Sequence, residues 1–498
     1  MLVSVGPTTL LLALSLVPLW TAWNQHTRLN DDTYITLTYA KNLAAGRGFV
    51  YNHPPATLGT TTPLLTLVLA GLGALFPHVD LSLIAVVFTT LCWIGILWVF
   101  YLFRRTWNIS DSQALIIALL LVSDGWIAFL GMEAYLFAFL LVLSFSLWHA
   151  RFVFAAGLMT GLLFLTRGEG VLIYIILSWM LLYQALVGAR TRRGQSWFSG
   201  MSRLSAGFAL PVVTWSIYAY QTFGHVLPNT LAAKRAQGQD KELAFLHRLV
   251  SEWMPCWGAR FQIMGFSLKG LWWVLLVLGV VVILIGRRRW LVFIGWTLAY
   301  ILGYTVLRVS PYWWYQFPVH FVAQIMVAWG LGYLLKTISS FHSWKHSALH
   351  TVLPLAVAGA ASCVMLIPAI KAPLRYDGDA RAESYLGLSR WIRDNTDPQD
   401  SVAYAEIGYI GYYTPNRIVD LLGLVMPDVV PYVVEDSIDE AFWRFMPDYY
   451  IYTPGLDWLL SDINQSPRFG QLYRPVTDLP GPHGSVLTVF KCTHSLCR

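Results

Sequence analysis

Apolar residues gather into long runs over the first three quarters of the chain and then stop. A membrane span needs roughly 20 mostly apolar residues. Eleven segments meet or approach that length: 2–23, 81–103, 113–130, 133–149, 153–166, 170–187, 204–222, 270–286, 290–307, 315–335 and 349–370. The run at 153–166 is short, which brings Arg167 and Glu169 below or near the membrane surface. Pro63–Phe76 is shorter than a span and carries glycine, so it reads as a re-entrant or interfacial helix. The first run lacks a basic leader and a clean small-residue cleavage site, so it reads as a span and not as a signal peptide.

Past residue 370 the pattern changes. Tyr385–Asn395 reads as an amphipathic helix, and Ser401–Tyr404, Arg417–Asp420, Tyr449–Thr453 and Val486–Lys491 read as short strands. Asp420 stands at a strand end and is expected to face a cavity. Two domains follow: residues 1–370 in the membrane, and residues 371–498 as a soluble α/β unit long enough for its own core. The expected fold class is an α-helical polytopic membrane protein, with about 11 transmembrane helices and a C-terminal extracytoplasmic α/β domain.

Composition agrees with this and closes off alternatives. Of 498 residues, 12% are charged and 56% hydrophobic. A soluble domain carries about 25% charged residues, so a soluble enzyme is excluded, as are disordered and disulfide-stapled chains. The net charge of +7 divides into +13 over residues 1–370 and −6 over 371–498. Basic residues crowd one set of short loops (Arg104, Arg105, Arg151, Arg190, Arg192, Arg193, Arg203, Arg287, Arg288, Arg289, Lys336 and Lys345), which marks that side as cytoplasmic. The N-terminus then lies in the cytoplasm and the C-terminal domain outside a plasma (bacterial inner) membrane. Cys92 and Cys363 fall in spans as packing residues, while Cys492 and Cys497 could pair in an oxidising compartment. No CxxC, HExxH or Walker sequence occurs.

The densest chemistry lies between the first two apolar runs. Asn30 or Asp31 suits a helix N-cap, Ile35, Tyr39 and Leu43 form an apolar stripe, and Gly46 and Gly48 end the helix. The expected element is an amphipathic helix lying at the outer surface, with Asp31 and Asp32 at its start. One acid serves as a cap; two at a low-dielectric interface repel, unless a cation, a proton or a basic substrate group relieves them. A carboxylate placed there suits a general base that takes the proton from an attacking hydroxyl.

These residues carry a likeness. Asp31-Asp32-Thr33-Tyr34-Ile35, Tyr39-Ala40-Lys41-Asn42-Leu43, Gly46, Gly48 and Tyr51-Asn52 resemble the opening of the GT-C glycosyltransferases, multi-span enzymes that use polyprenyl-phosphate sugars. Within that superfamily the resemblance is strongest to the arabinofuranosyltransferase AftB-like branch, and more distant to the protein O-mannosyltransferases and the aminoarabinose transferase of lipid A. Gly59-Thr60-Thr61-Thr62-Pro63-Leu64 is similar to the branch's Gly-Tyr-Thr-Ser-Pro-Leu stretch, although Leu58 stands where an acid is common. Gly131-Met132-Glu133-Ala134, Thr166-Arg167-Gly168-Glu169-Gly170, and Phe223-Gly224-His225 with Pro228-Asn229-Thr230 and Lys234 look like further elements in the same order. In the last domain, Glu406 to Tyr413 and Val419 to Leu424 continue the likeness.

The resemblance implies an inverting transfer in which Asp31 or Asp32 is the base. The donor it implies is a polyprenyl-phosphate-linked sugar in the lipid bilayer; the acceptor is a glycan, lipid or protein hydroxyl, with no nucleic acid partner. Lys234, Arg167 or Arg308 would meet the lipid phosphate, Arg235 being a neighbour of the first. Glu133, Glu169, His225 and Asn229 are substrate-binding candidates. Arg167 has an equally weighted structural reading, as an ion-pair partner of Glu133 or Glu169. His225 has a structural reading as well, and Asp124 reads as a capped kink. A divalent cation (Mg or Ca) suits the paired aspartates, but none is required. The alternative function is a transporter or flippase of an anionic lipid-linked sugar.

Overall fold

The computed structural model describes residues 6–494 apart from 28, 53–55, 124–125, 189–196, 237–243, 260, 264–265, 309 and 340–363. The helical part opens with α1 (Pro7–Gln25), α2 (Asp31–Ala44), α3 (Pro63–Leu75), α4 (Leu81–Leu102) and the short α5 (Arg104–Trp107). It continues through α6 (Asp111–Ser123), α7 (Ala134–His149), α8 (Val153–Thr166), α9 (Val171–Gly188) and α10 (Trp197–Phe223). After α11 (Asn229–Ala236) and α12 (Ala244–Arg248) comes a small hairpin, β1 (Gln262–Ile263) and β2 (Phe266–Ser267). The long helices α13 (Lys269–Gly286), α14 (Leu291–Leu307) and α15 (Phe317–Ser339) follow. A helix α16 at 364–375 leads into the C-terminal domain.

Helical stretches at 81–102, 168–186, 269–286, 288–307 and 313–338 are long and apolar enough to cross a membrane, with shorter apolar helices at 63–75, 111–123, 134–149 and 153–166. The expected span 113–130 is not one helix: α6 stops at Ser123, and 127–129 forms a separate 3-10 turn. Asp124 lies outside the described residues between them, as do Cys363, Cys497 and most of the expected span 349–370. Cys492 is disulfide-bonded.

The spanning helices are apolar on both faces, as a lipid-exposed bundle requires. Helix α13 buries Trp272, Leu275, Gly279 and Ile283 and leaves Val274, Val277, Val281 and Leu284 exposed. Small residues set the helix spacing. Gly157 of α8 faces the Leu204 carbonyl of α10, and Gly279 of α13 faces the Met326 carbonyl of α15, so closely that a Cβ at either glycine would collide. Without a hydrophobic drive between helices in lipid, such backbone approach is what holds them together.

The C-terminal domain is built on a five-stranded mixed sheet of β3 (Ser401–Tyr404), β4 (Arg417–Asp420), β5 (Tyr449–Tyr452), β6 (Tyr473–Pro480) and β7 (Val486–Cys492), in the order β4-β3-β5-β7-β6. Strand β3 pairs parallel with β4 and β5, while β7 pairs antiparallel with β5 and β6. Four strands fall where the alternation places them. The unexpected one, β6, carries Pro475 and Pro480, and its register shifts between Pro475 and Thr477. Proline is tolerated there because β6 is an edge strand. Helix α17 (Ala382–Asn395) covers the sheet through Tyr385, Leu388 and Ile392. The short α18 (Gly408–Tyr413) follows β3 and packs against α2.

Candidate active site

The N-terminus of α2 sets the geometry. Asn30, not Asp31, caps it, its Oδ1 accepting the Asp32 N–H at 3.0 Å. Both acids are thereby released from that duty. The Asp31 carboxylate accepts the Gly408 N–H at 3.0 Å and the Tyr409 N–H at 2.9 Å, so it caps α18 of the C-terminal domain. Gly408 has to be glycine, since a Cβ there would strike the Asp31 backbone and carboxyl carbon. Asp31 is 2% exposed. Asp32, one residue on, is half-buried and turns to a cavity; its carboxylate accepts no hydrogen bond from the protein among the described residues.

Helix α2 is not a surface helix with a wet face, as its sequence predicts. Its outward side is covered: the Tyr34 ring lies 4.2 Å from that of Tyr409, 5.3 Å from Tyr412 and 5.5 Å from Tyr413. Polar links extend the cover. Lys41 donates to the Tyr412 carbonyl at 2.7 Å, Tyr51 to the Ile407 carbonyl at 2.7 Å, and Asn52 exchanges two bonds with the Ile418 backbone. Tyr39 organises the next loop, donating to the Thr57 carbonyl at 2.9 Å and accepting from the Gly59 N–H at 3.0 Å.

The cavity so enclosed measures about 350 Å³. Asp31, Asp32 and Thr36 of α2 form one side, and Thr60 to Thr62 another. Glu133 comes from the turn before α7, Thr230 and Lys234 from α11, and Tyr312 to Trp314 from the turn before α15; Arg381, Glu406, Leu422 and Leu424 come from the C-terminal domain. Of the residues singled out from sequence, Asp31, Asp32, Glu133 and Lys234 meet here. Arg167 is 5% exposed and lies behind Glu133, with Nη1 at 3.3 Å from Glu133 and Nη2 at 3.0 Å from Glu169. Tyr304 donates to Glu169 and shares the Arg167 guanidinium. That is the ion-pair reading of Arg167.

The remaining candidates sit apart from this lining. His225 Nδ1 lies 2.8 Å from the nearby Leu227 carbonyl. Arg308 ends α14 in the left-handed region at φ 51 and is exposed. Asn229 starts α11, its N–H bonded to the Leu58 carbonyl at 2.9 Å. The side chain of Arg235 lies outside the described ones. Asp420 does not face the cavity; it is fully buried and binds the Leu422 and Val425 N–H groups at 2.9 and 2.7 Å.

Electrostatics separate the acids. Burial raises Asp32 above the usual carboxylate range, against the pull of Lys234 and Arg381. Burial likewise raises Asp31 to about 6, with Arg381 opposing. Glu406 is pushed up to about 8 by burial and then by the Asp31 charge. Asp379 is held low despite its burial, because Arg381 binds it at 2.9 and 2.8 Å. For Lys234 burial works against the ammonium, yet Tyr315, Asp32 and Glu133 together hold its pKa above normal. Its Nζ sits 5.3 Å from the Tyr312 ring centroid and 5.5 Å from that of Trp314. No group of three or more His, Cys, Asp or Glu side chains placed to hold a metal ion occurs among the described residues.

Arg381 was not legible as a site residue, since nothing in the sequence around it is distinctive. Glu406, Thr60 to Thr62 and Thr230 stood out only as parts of longer motifs.

Comparison with known proteins places the fold. Residues 374–492 match a family described as a domain of unknown function (DUF8728). Sequence comparison with curated proteins gives no match. Among solved structures, the chain is similar to ArnT from Cupriavidus metallidurans bound to undecaprenyl phosphate, with a TM-score of 0.59, 14% identity and 98% of each chain covered. It is similar to the apo state of the same protein at a TM-score of 0.57, 14% identity and 97% of each chain. The chain therefore has an ArnT-like, GT-C-type fold over nearly its whole length.

Proposed function

We propose that this chain is an integral-membrane glycosyltransferase. It moves a sugar from a polyprenyl-phosphate donor to a hydroxyl of a glycan, lipid or protein on the outer face of the membrane. The observation that carries the reading is the Asp32 carboxylate, which accepts no hydrogen bond among the described residues and faces a cavity that also holds the Lys234 ammonium. The GT-C-type fold supports it, as does the undecaprenyl phosphate bound by the ArnT neighbour. Within the superfamily, the first-loop motif favours the arabinofuranosyltransferase AftB-like branch.

In this reading Asp32 takes the proton from the acceptor hydroxyl as its oxygen attacks the anomeric carbon. The bond from that carbon to the phosphate oxygen breaks, and the phosphate leaves with the electron pair. One displacement inverts the anomeric centre. Burial makes Asp32 a stronger base than an ordinary aspartate. Lys234 stabilises the charge that grows on the departing phosphate, with the Tyr312 and Trp314 rings around its ammonium at 5.3 and 5.5 Å. Asp31 docks the C-terminal domain and keeps Asp32 in place. No step runs through a metal ion.

The test supplies radiolabelled polyprenyl-phosphate sugar to the purified full-length protein, the sugar being identified by mass spectrometry of co-purified lipid. Wild type is expected to transfer it, and Asp32→Asn to lose a factor of about 10²–10⁴. Undiminished transfer by Asp32→Asn overturns the assignment. Movement of the lipid-linked sugar across vesicles without transfer would favour a transporter instead.

A further inference from the structure

The end of the helical bundle away from the cavity has a chemistry of its own. Helix α7 starts beside Glu133, which lines the cavity, and ends 16 residues later at His149, about 24 Å farther on. Helix α14 likewise starts after Trp290 and runs towards the Tyr312 to Trp314 turn of the cavity. At the far end, segments distant in sequence converge. His149 Nε2 lies 3.2 Å from the Arg289 carbonyl, the Arg289 guanidinium donates to the Thr106 carbonyl, and the Trp290 indole donates to the Trp107 carbonyl at 3.2 Å. Trp107 and Trp290 form the hub, each 1% exposed, with ring centroids 4.7 Å apart.

The turns around that hub carry Arg104, Arg105, Arg151, Arg287, Arg288 and Arg289. The one acid in these turns is Asp111, and Arg104 binds it. Arg105, Arg151 and Arg288 are exposed, and their side chains donate to no protein group among the described residues. Arg287 lies over the Trp329 ring at 5.0 Å. Helices α4, α7 and α13 end here, and each C-terminus supplies roughly half a negative charge. With Asp111 counted, the six arginines keep an excess of roughly three positive charges. Basic loops on one side of a membrane are ordinary, but that rule does not require them to gather on one hub. Gathered like charges repel, unless an anion lies among them. Arg151 also ends α7 at φ 70, a left-handed position that glycine fills without strain.

The flanks identify the anion. Leu102, Phe152 and Ile285 are 64%, 60% and 83% exposed, and stand within two residues of Arg104, Arg151 and Arg287. Each arginine-bearing turn therefore has a bare apolar side chain beside it. A soluble phosphate, a nucleotide or an acidic protein would meet the guanidinium groups and leave these side chains in water. A phospholipid uses both halves: acyl chains cover the apolar flank, and the phosphate meets guanidinium forks that bind its oxygens in pairs.

We propose that this end of the bundle binds an anionic phospholipid, in the leaflet opposite the candidate active site, with the headgroup phosphate held among the Arg105, Arg151 and Arg287 to Arg289 turns. The site does not depend on the glycosyltransferase reading and stands without it.

The experiment mixes full-length protein in detergent with dioleoyl phosphatidylglycerol or dioleoyl phosphatidylcholine and counts retained lipid by native mass spectrometry. Wild type is expected to retain phosphatidylglycerol and to lose phosphatidylcholine. Arg105→Gln, Arg151→Gly and Arg288→Gln, one from each turn, should each weaken retention about fivefold, the worth of one basic residue at an anionic surface. Arg151→Gly suits the left-handed backbone, so its melting temperature should not fall, and it keeps the test open if another variant does not fold. Arg248→Gln removes the same charge at the opposite end, where Arg248 donates to the Pro311 carbonyl, and should leave retention unchanged. Equal weakening by Arg248→Gln means a diffuse field and overturns the site. Unchanged retention in the three cluster variants overturns it, as does phosphatidylcholine held as firmly as phosphatidylglycerol. Displacement of the lipid by equimolar glycerol 3-phosphate also overturns it, because the apolar flank would then contribute nothing.

Discussion

Asp31 and Gly408 are joined across the two halves of the molecule: the carboxylate of the first accepts the N–H of the second at 3.0 Å, in a contact that no Cβ could enter. Asp31→Ala leaves the Gly408 and Tyr409 N–H groups buried and unpaired, at a cost of about 1–3 kcal/mol. The expected result is a lower melting temperature, with faster protease release of the C-terminal domain. Asp31→Asn keeps an acceptor oxygen and should lose less. Equal stability of Asp31→Ala and wild type would remove the docking role.

Asp32 gives a pH signature. Its pKa is raised by burial, and a general base works only when ionised. Transfer should therefore fall as pH drops through a value above 3.8, the ordinary aspartate figure. A kcat/KM profile measured between pH 4 and 9 checks this. A flat acidic side would place the base elsewhere.

Glu406 predicts the opposite trend for stability. Its pKa is about 8 in the folded protein against an ordinary 4.5, because burial and the Asp31 charge disfavour its ionised form. The folded state holds that proton more tightly than the unfolded state. Its contribution is then fully present below 4.5 and lost as pH rises through about 8. Melting temperatures of wild type should decline over that window relative to Glu406→Gln, whose amide does not titrate. Parallel curves for the two proteins would contradict the shift.

Arg167 separates a structural from a ligand-binding role. It bridges Glu133 and Glu169 at 3.3 and 3.0 Å while almost fully buried. Arg167→Gln strands two acids, and breaking a buried pair in this way costs about 3–5 kcal/mol. Yield and melting temperature should fall together. A variant of normal stability that has lost only donor binding would return Arg167 to the phosphate.

Much of this was readable from residues alone, and the gaps have physical causes. Apolar runs marked the helices because a bilayer tolerates little else, and β3, β4, β5 and β7 followed from alternation. The edge strand β6 was hidden by its prolines. The separate duties of Asp31 and Asp32 were beyond reach, because the partner that occupies Asp31 is a backbone amide 377 residues away. Arg381 was missed for a similar reason: its place is fixed by Asp379 and Glu406, and that trio becomes recognisable only once the sheet has formed.

The Asp31–Gly408 link also bears on biosynthesis. Helix α2 leaves the ribosome well before α18, whose contact with Asp31 comes 377 residues later. At roughly 5–20 residues per second, that interval is on the order of half a minute. Until it closes, Asp31 and Asp32 are side by side without the lid that separates their roles. The newborn chain thus begins its membrane insertion with the centre unassembled, and acquires it only when the sheet-bearing domain has been delivered and folded.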